Sequence, residues 1–194
     1  MVARFTTVGV YCINAARYLF QAEPTTVFAC SANSGDPRFE KVDEMSSVVM
    51  HFPEDRLATF TCSFGAADIG RYSLIGTKGV LTADPAYEYV STLKQQIKIG
   101  EKTITRKFPK RDQFAAELVY FSDCILKNRE PEPSGLEGLA DVRIVRAAYQ
   151  SARAGRVVEL PALPPKKRPT SQQEIYRAPH GKPQTVNVKS PSGD

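Results

Sequence analysis

Between residues 25 and 108 the chain alternates short β-branched or apolar runs with tight polar turns, and helical periodicity appears only before and after that stretch. This order restricts the fold more than any single motif does. Thr25-Thr26-Val27-Phe28-Ala29-Cys30-Ser31-Ala32 reads as the first strand, and Asn33-Ser34-Gly35-Asp36-Pro37 as a loop. Strand patterns follow over Glu44 to Phe52 and Arg56 to Phe64. In the second, Leu57, Thr59, Thr61 and Ser63 alternate with Ala58, Phe60, Cys62 and Phe64, the period of a half-buried strand. Pro53-Glu54-Asp55 joins the two, which predicts an antiparallel hairpin. Arg71 to Ile75 and Val80 to Thr82 flank Gly76-Thr77-Lys78-Gly79. These glycines lack the Gly-Lys-Ser/Thr ending and the following helix of a phosphate loop, so they read as a turn. Tyr87-Glu88-Tyr89-Val90, Leu93 to Ile99 and Lys102 to Phe108 continue the meander, with Gly100-Glu101 as a turn. Gln96-Ile97-Lys98-Ile99 and Thr103-Ile104-Thr105-Arg106 put polar groups on one face, leaving it open to solvent or a partner.

Three helical patterns frame the strands. Thr6 to Phe20 carries Ile13, Ala16 and Phe20 as an apolar stripe, and Pro24 stops it. Arg111 to Lys127 places Phe114, Leu118, Phe121 and Ile125 on one face, with Asp112 near its positive end. Gly135 to Ala154 places Leu139, Val142, Val145, Tyr149 and Ala152 on one face and ends at Gly155, a fitting C-cap. Val157 to Leu160 adds a short strand. One helix, a run of strands and two helices imply an α+β fold: a large, mostly antiparallel, open-faced sheet with helices packed on one face.

Composition divides the chain into a body, residues 1–161, and an extended Pro-rich basic tail, residues 162–194. The whole chain is 42% hydrophobic, enough for a core, but six of its 14 prolines lie in the tail. Such a segment buries too little surface to offset its ordering entropy, with Ile175, Tyr176 and Val186-Asn187-Val188 the side chains able to pack. Six Lys and Arg residues fall in the tail against Glu174 and Asp194, so of the overall +5 the body keeps almost none. A near-neutral body argues against nucleic acid as a partner. No apolar run reaches the ~20 residues of a membrane span, and Met1 to Thr7 lacks a secretory core. Four separated cysteines, no Cys-x-x-Cys pair and two histidines speak against zinc. The expectation is a cytoplasmic protein with reduced thiols and no membrane association.

Tyr11, Asn14 and Arg17 recur at spacings of three on the first helix, so a phenol, an amide and a guanidinium share one edge able to meet a small ligand. The same spacing is that of an ordinary amphipathic helix with a polar edge. Cys12 reads as a packing thiol, and His51 as a surface or core histidine.

The run Gly9-Val10-Tyr11-Cys12-Ile13-Asn14-Ala15-Ala16-Arg17-Tyr18-Leu19-Phe20, with Glu23-Pro24 after it, resembles the start of the second domain of Gfo/Idh/MocA oxidoreductases, relatives of glucose-fructose oxidoreductase and inositol dehydrogenase. Val48-Val49-Met50-His51-Phe52 with Ala58-Thr59-Phe60, the Ile75-to-Leu81 turn and the Phe114-to-Ile125 helix match in order, across residues 5–161. The tail, through Pro169-Thr170 and Glu174-Ile175-Tyr176-Arg177, resembles C-terminal extensions of some bacterial members. The resemblance implies the substrate-binding and oligomerisation half of an NAD(P)-dependent enzyme acting on a sugar, cyclitol or similar polyol. Carried over, Tyr11 takes the place of the Tyr or His that handles the substrate hydroxyl proton. Asn14 and Arg17 become groups contacting or backing the substrate.

Three departures bear on that reading. Thr7 stands where the family usually has an Asp two residues ahead of the glycine at Gly9, so no carboxylate is available there to orient substrate. A Gly-x-Gly-x-x-Gly after a strand and the family's Lys-Pro element are both lacking. A free phenol titrates near ~10, so proton handling calls for a neighbouring cation, with Arg17 as one candidate. The chain is therefore expected to bind no NAD(P) and to be inactive alone, while forming a homo-oligomer through its open sheet. The alternative is a non-catalytic assembly or binding module derived from the same family, in which the sheet pairs with a second copy.

Overall fold

A computed structural model of the chain describes residues 8–89, 91–163 and 168–179. The fold is α+β, and all strand pairs are antiparallel. The strands are shared between two four-stranded sheets, one in each of two compact units.

The first unit comprises residues 1–68 and 130–170. It contains helix α1 (Val10–Phe20), strands β1 (Thr26–Ala32), β2 (Met45–Phe52) and β3 (Arg56–Ser63), helix α3 (Gly135–Ala154) and the short strand β8 (Val158–Glu159), with sheet order β3-β2-β1-β8. The hairpin predicted around Pro53-Glu54-Asp55 is the β2–β3 connection, with Phe52 opposite Arg56. Its register sets Val48 beside Phe60 and Met50 beside Ala58, while β1 sets Val27 opposite Met50 and Ala29 opposite Val48. Alternation thus sends Val27, Ala29, Val48, Met50 and Phe52 to one face, where α3 and α1 cover them with Ile144, Ala148 and Ile13.

Helix α3 has the bounds its periodicity predicts, but a different buried face. The predicted stripe of Leu139, Val142, Val145, Tyr149 and Ala152 is only partly inward, since Leu139 and Val142 are exposed. The buried stripe runs through Glu137, Ala140, Asp141, Ile144, Ala148 and Ser151. Close packing on β1 explains the small residues. The fully buried Ser151 hydroxyl accepts from the Ala29 backbone N–H at 2.9 Å and donates to the Arg156 carbonyl at 2.6 Å. Strand β8 pairs only with Thr26 and Val27, so Ser151 takes over where that ladder stops.

The second unit comprises residues 69–129 and 171–194. Strands β4 (Tyr72–Gly76), β5 (Gly79–Ala83), β6 (Leu93–Ile99) and β7 (Lys102–Phe108) form a meander in sequence order, beside helix α2 (Gln113–Leu126). Leu74, Leu81, Ile97 and Ile104 line up across one face, and Ser73, Thr82, Gln96 and Thr105 across the other. Gly79 sits so close to β6 that a Cβ there would run into the Lys98 carbonyl, so this glycine is needed for strand approach rather than for a phosphate.

One expectation fails in this unit. Tyr87 to Tyr89 is not a strand, and Val90 lies outside the described residues. Pro85 has no N–H for a ladder, the Ala86 N–H donates to the Gly70 carbonyl, and the Tyr87 ring packs on Tyr72. Helix α2 has its predicted Asp112 cap, accepting from the Ala115 N–H, yet Phe114, Leu118, Phe121 and Ile125 are all more than half exposed. Amphipathic periodicity shows that a face is able to be buried, not that a partner covers it. Of the tail, residues 171–177 meet α2 and its entry. Asp112 N–H donates to the Arg177 carbonyl, Arg111 pairs with Glu174 and lies over the Tyr176 ring, and Gln173 reaches the Tyr120 hydroxyl. Val186-Asn187-Val188 lies outside the described residues.

Candidate functional site

The residues of interest lie on α1. The helix is regular from Val10, and Val8–Gly9 form a wider turn ahead of it. Thr6 and Thr7 lie outside the described residues. Three residues advance a helix by about 300°, so a spacing of three drifts by about 60° per step. Across Tyr11, Asn14 and Arg17 the drift is about 120°, and the three side chains fan out. Tyr11 is 60% exposed, Asn14 is exposed, and Arg17 is 0% exposed. They do not all converge on one point.

Asn14 and Arg17 do converge, on Asp141 of α3. The Asn14 amide donates to Asp141 Oδ2 at 3.1 Å, and Arg17 Nη1 to Oδ1 at 2.5 Å. Arg17 Nε and Nη2 form a two-pronged contact with Glu23, both at 2.8 Å. Nη2 also faces Glu137 Oε1 at 2.8 Å. Burial works against this guanidinium's charge, but the Glu23 hydrogen bonds and the nearby Asp141 and Glu23 charges outweigh it and hold its pKa above the usual arginine value. Arg17 therefore stays cationic at any pH at which the protein folds. A buried charge is tolerated only when paired and hydrogen-bonded, and here each arm of the fork is occupied.

The carboxylates come from three places in the sequence. Glu23 follows α1 in the turn before Pro24. Glu137 and Asp141 lie four apart on α3, hence on one face. Ser134-x-x-Glu137 has the spacing of a capping box, and the Ser134 hydroxyl does accept from the Leu136 N–H at 3.2 Å. The Glu137 carboxylate is turned to Arg17 instead. Sequence reading overlooked Glu137, Asp141 and Arg168. The available signal was that both carboxylates share a helical face with Ile144 and Ala148, where an acid requires a cation.

Farther off, the His51 ring meets Asp55 at 3.3 Å and the Thr25 hydroxyl at 3.4 Å at the exposed hairpin end, a surface role. Among the described residues no group of three His, Cys, Asp or Glu side chains is placed to hold a metal, and no helix is long and apolar enough to cross a membrane. A dinucleotide needs the glycine turn of a parallel strand–helix–strand unit against its pyrophosphate. Among the described residues the strand pairs are all antiparallel and the glycine pair at 76 and 79 joins two strands, so no dinucleotide-binding turn of that kind is found among them. What α1 offers is an outward phenol, and an exposed Asn14 tied through its amide to Asp141, on a helix whose inner side is pinned by an ion cluster.

Comparison with known proteins places this arrangement. A family model described as the oxidoreductase family, C-terminal alpha/beta domain, of the Gfo/Idh/MocA group, matches residues 4–160. The D-xylose 1-dehydrogenase [NADP(+)] of Haloarcula marismortui is 28% identical over 153 residues, covering 79% of this chain and 42% of the relative. The crystal structure of aldose-aldose oxidoreductase from Caulobacter crescentus, complexed with glycerol, superposes with a TM-score of 0.73 at 35% identity, over 80% of this chain and 47% of that one. An Agrobacterium radiobacter oxidoreductase in complex with NAD+, L-tartaric acid and magnesium shares the fold, with a TM-score of 0.65 at 16% identity, over 80% of this chain and 48% of that one. The chain spans about half the length of the relatives it matches. With the match running from ahead of α1 to the end of β8, the chain belongs to the Gfo/Idh/MocA oxidoreductase family, as its C-terminal α/β domain.

Proposed function

We propose that this chain forms the substrate-binding half of an NAD(P)-dependent oxidoreductase acting on a sugar or similar polyol, with Tyr11 exchanging the proton of the reacting hydroxyl. The observation that carries the reading is the exposed Tyr11 phenol on a helix pinned from behind, within the stretch matched to the family. Asn14 stands one turn along, outward enough to contact substrate while its amide is oriented by Asp141. Arg17 acts behind both, holding α1 to α3. Thr7 is assigned a hydrogen bond to substrate by its place in the sequence. The relatives' names support the substrate class: one is a xylose dehydrogenase, and another was crystallised with glycerol. NAD(P) supplies hydride exchange in this chemistry, and the described residues hold no parallel strand–helix–strand unit for its pyrophosphate, so no turnover is expected from this chain by itself.

The test has two parts. Titration of the chain into NADH and NADPH, followed by nicotinamide fluorescence, is expected to show no binding at physiological cofactor levels. Measurable affinity overturns the assignment of the cofactor to a separate domain. Mixing the chain with a separately expressed cofactor domain of a relative, with D-xylose or glycerol as substrate, is expected to give nicotinamide reduction. Tyr11→Phe should lower it ~10²–10⁴-fold, the range of general acid–base catalysis.

A second reading, a non-catalytic assembly module, draws on the outer face of the first sheet. Phe28, Val49 and Leu57 stand exposed there, on the face away from α3. Either reading calls for an open sheet that pairs with a second copy. Light scattering after size exclusion is expected to give a dimer or higher state, and a clean monomer at high concentration removes sheet pairing from both. Activity in the mixing experiment decides for the enzyme.

A further inference from the structure

The C-terminal end of α1 poses a problem that a segment distant in sequence solves. The last four carbonyls of a helix have no intrahelical donor. Here the Tyr18 carbonyl accepts from the Gln21 N–H at 3.3 Å, and the Phe20 carbonyl from Arg56 Nη1 at 2.9 Å. The Arg17 carbonyl accepts from Arg168 Nη1 at 3.2 Å. A helix C-terminus carries partial negative charge, so two guanidinium groups suit it. Arg168 does more than cap. Its Nη2 donates to Glu23 Oε1 at 2.9 Å, the carboxylate that grips the Arg17 fork. One side chain, 14% exposed, thus holds both the backbone of α1 and the anion that anchors its buried arginine. Among the described residues three carboxylates surround Arg17, and Arg168 is the second cation in that cluster. It also lies beyond residue 160, where the match to the family ends.

We propose that Arg168 is a positioning residue for α1, and through it for Tyr11: its forked side chain is a strap that locks the helix end. Glu23 is shared between two guanidinium groups, so loss of Arg168 loosens the turn at residues 21–24 and the last turn of α1 together. Ile13 and Asn14 still touch the body of the unit, so the helix tilts rather than leaves. The displacement reaches Tyr11, about 9 Å up the axis from Arg17. The functional consequence rests on the reading of Tyr11 above, whereas the strap itself does not.

The experiment uses the full chain and two variants, Arg168→Ala and Arg168→Lys. Amide hydrogen exchange is read for residues 18–22 and for β2, together with the NMR ring signals of Tyr11, assigned through Tyr11→Phe. Loss of charge-assisted hydrogen bonds is expected to speed exchange at residues 18–22 about tenfold in Arg168→Ala. Exchange in β2 should stay as it was, and the Tyr11 ring signals should move. Arg168→Lys should restore the behaviour in part, because a point charge keeps one contact but lacks the planar fork that makes both. Unchanged exchange at residues 18–22 overturns the strap. Faster exchange with the Tyr11 signals in place overturns the positioning role, and so does an equal loss in β2 that lysine does not restore. Tyr11→Phe tests proton handling in the mixing assay without touching Arg168, so either idea is able to fail alone.

Discussion

Helices α1 and α2 look alike as sequence and behave in opposite ways. Both are amphipathic. Helix α1 buries a charged residue, Arg17, completely, and leaves the aromatic Tyr11 in solvent. Helix α2 caps itself correctly at Asp112 yet leaves Phe114, Leu118, Phe121 and Ile125 exposed. The difference is that α1 meets Glu23 from the turn that follows it and partners from three distant stretches: Arg56, the Glu137–Asp141 face of α3, and Arg168. A helix face is decided by what is brought to it.

The largest effect that would break this contrast is removal of the buried cation. Arg17→Met leaves Glu23, Glu137 and Asp141 around an apolar side chain, and breaking a buried ion cluster from one side costs about 3–5 kcal/mol. Denaturant unfolding of the first unit should show that loss between pH 5 and 9 without much variation. The sign follows from the raised pKa of Arg17: its contribution is present below the ordinary arginine value and fades only above it. A loss under about 1 kcal/mol, the value of an exposed pair, would place the cluster in solvent.

Next comes the seam between α3 and β1. Ser151→Ala strands the Ala29 N–H and removes the donor to the Arg156 carbonyl, which should cost about 1–3 kcal/mol by the same measurement. On α2, Leu118→Ser should change stability by no more than about 0.5 kcal/mol, as at an uncovered position. A cost like that of a core truncation, about 2–5 kcal/mol, would mean that the face is covered in solution. Asp123→Asn, which removes the pairing with Lys127, should have the smallest effect. The Lys127 hydrogen bond and charge lower the Asp123 pKa, so the wild-type advantage exists above the ordinary aspartate value. It should disappear as pH falls through the lower, folded value, which a thermal melt series below pH 5 would record.

Much of the fold was legible along the chain because it depends on neighbours. The β2–β3 hairpin follows from its alternation and the Pro53-Glu54-Asp55 turn. Helix α3 follows from its period and the Gly155 cap, which adopts φ 62°. The inner face of α3 was not legible, because hydrophobicity ranked Leu139 and Val142 above Asp141 and Ser151. The polar pair is buried for reasons that lie on α1 and β1. The Tyr87-to-Tyr89 segment misled for a similar reason: strand-forming residue types do not make a strand where Pro85 has no N–H, the Ala86 N–H bonds to Gly70 and the Tyr87 ring packs on Tyr72.

At the candidate site, the run Gly9 to Phe20, its resemblance to a family and the helical placement of Tyr11, Asn14 and Arg17 could all be read along the chain. Helical geometry alone then dictates that a spacing of three fans out. Which side turns inward, and what meets it there, is set by the packing of α1 against α3 and Arg168. The carboxylates of Glu137 and Asp141 and the fork of Arg168 stand more than a hundred residues from Arg17, and no local pattern encodes their meeting. A buried charge must be met by partners, and their identity is fixed by the fold.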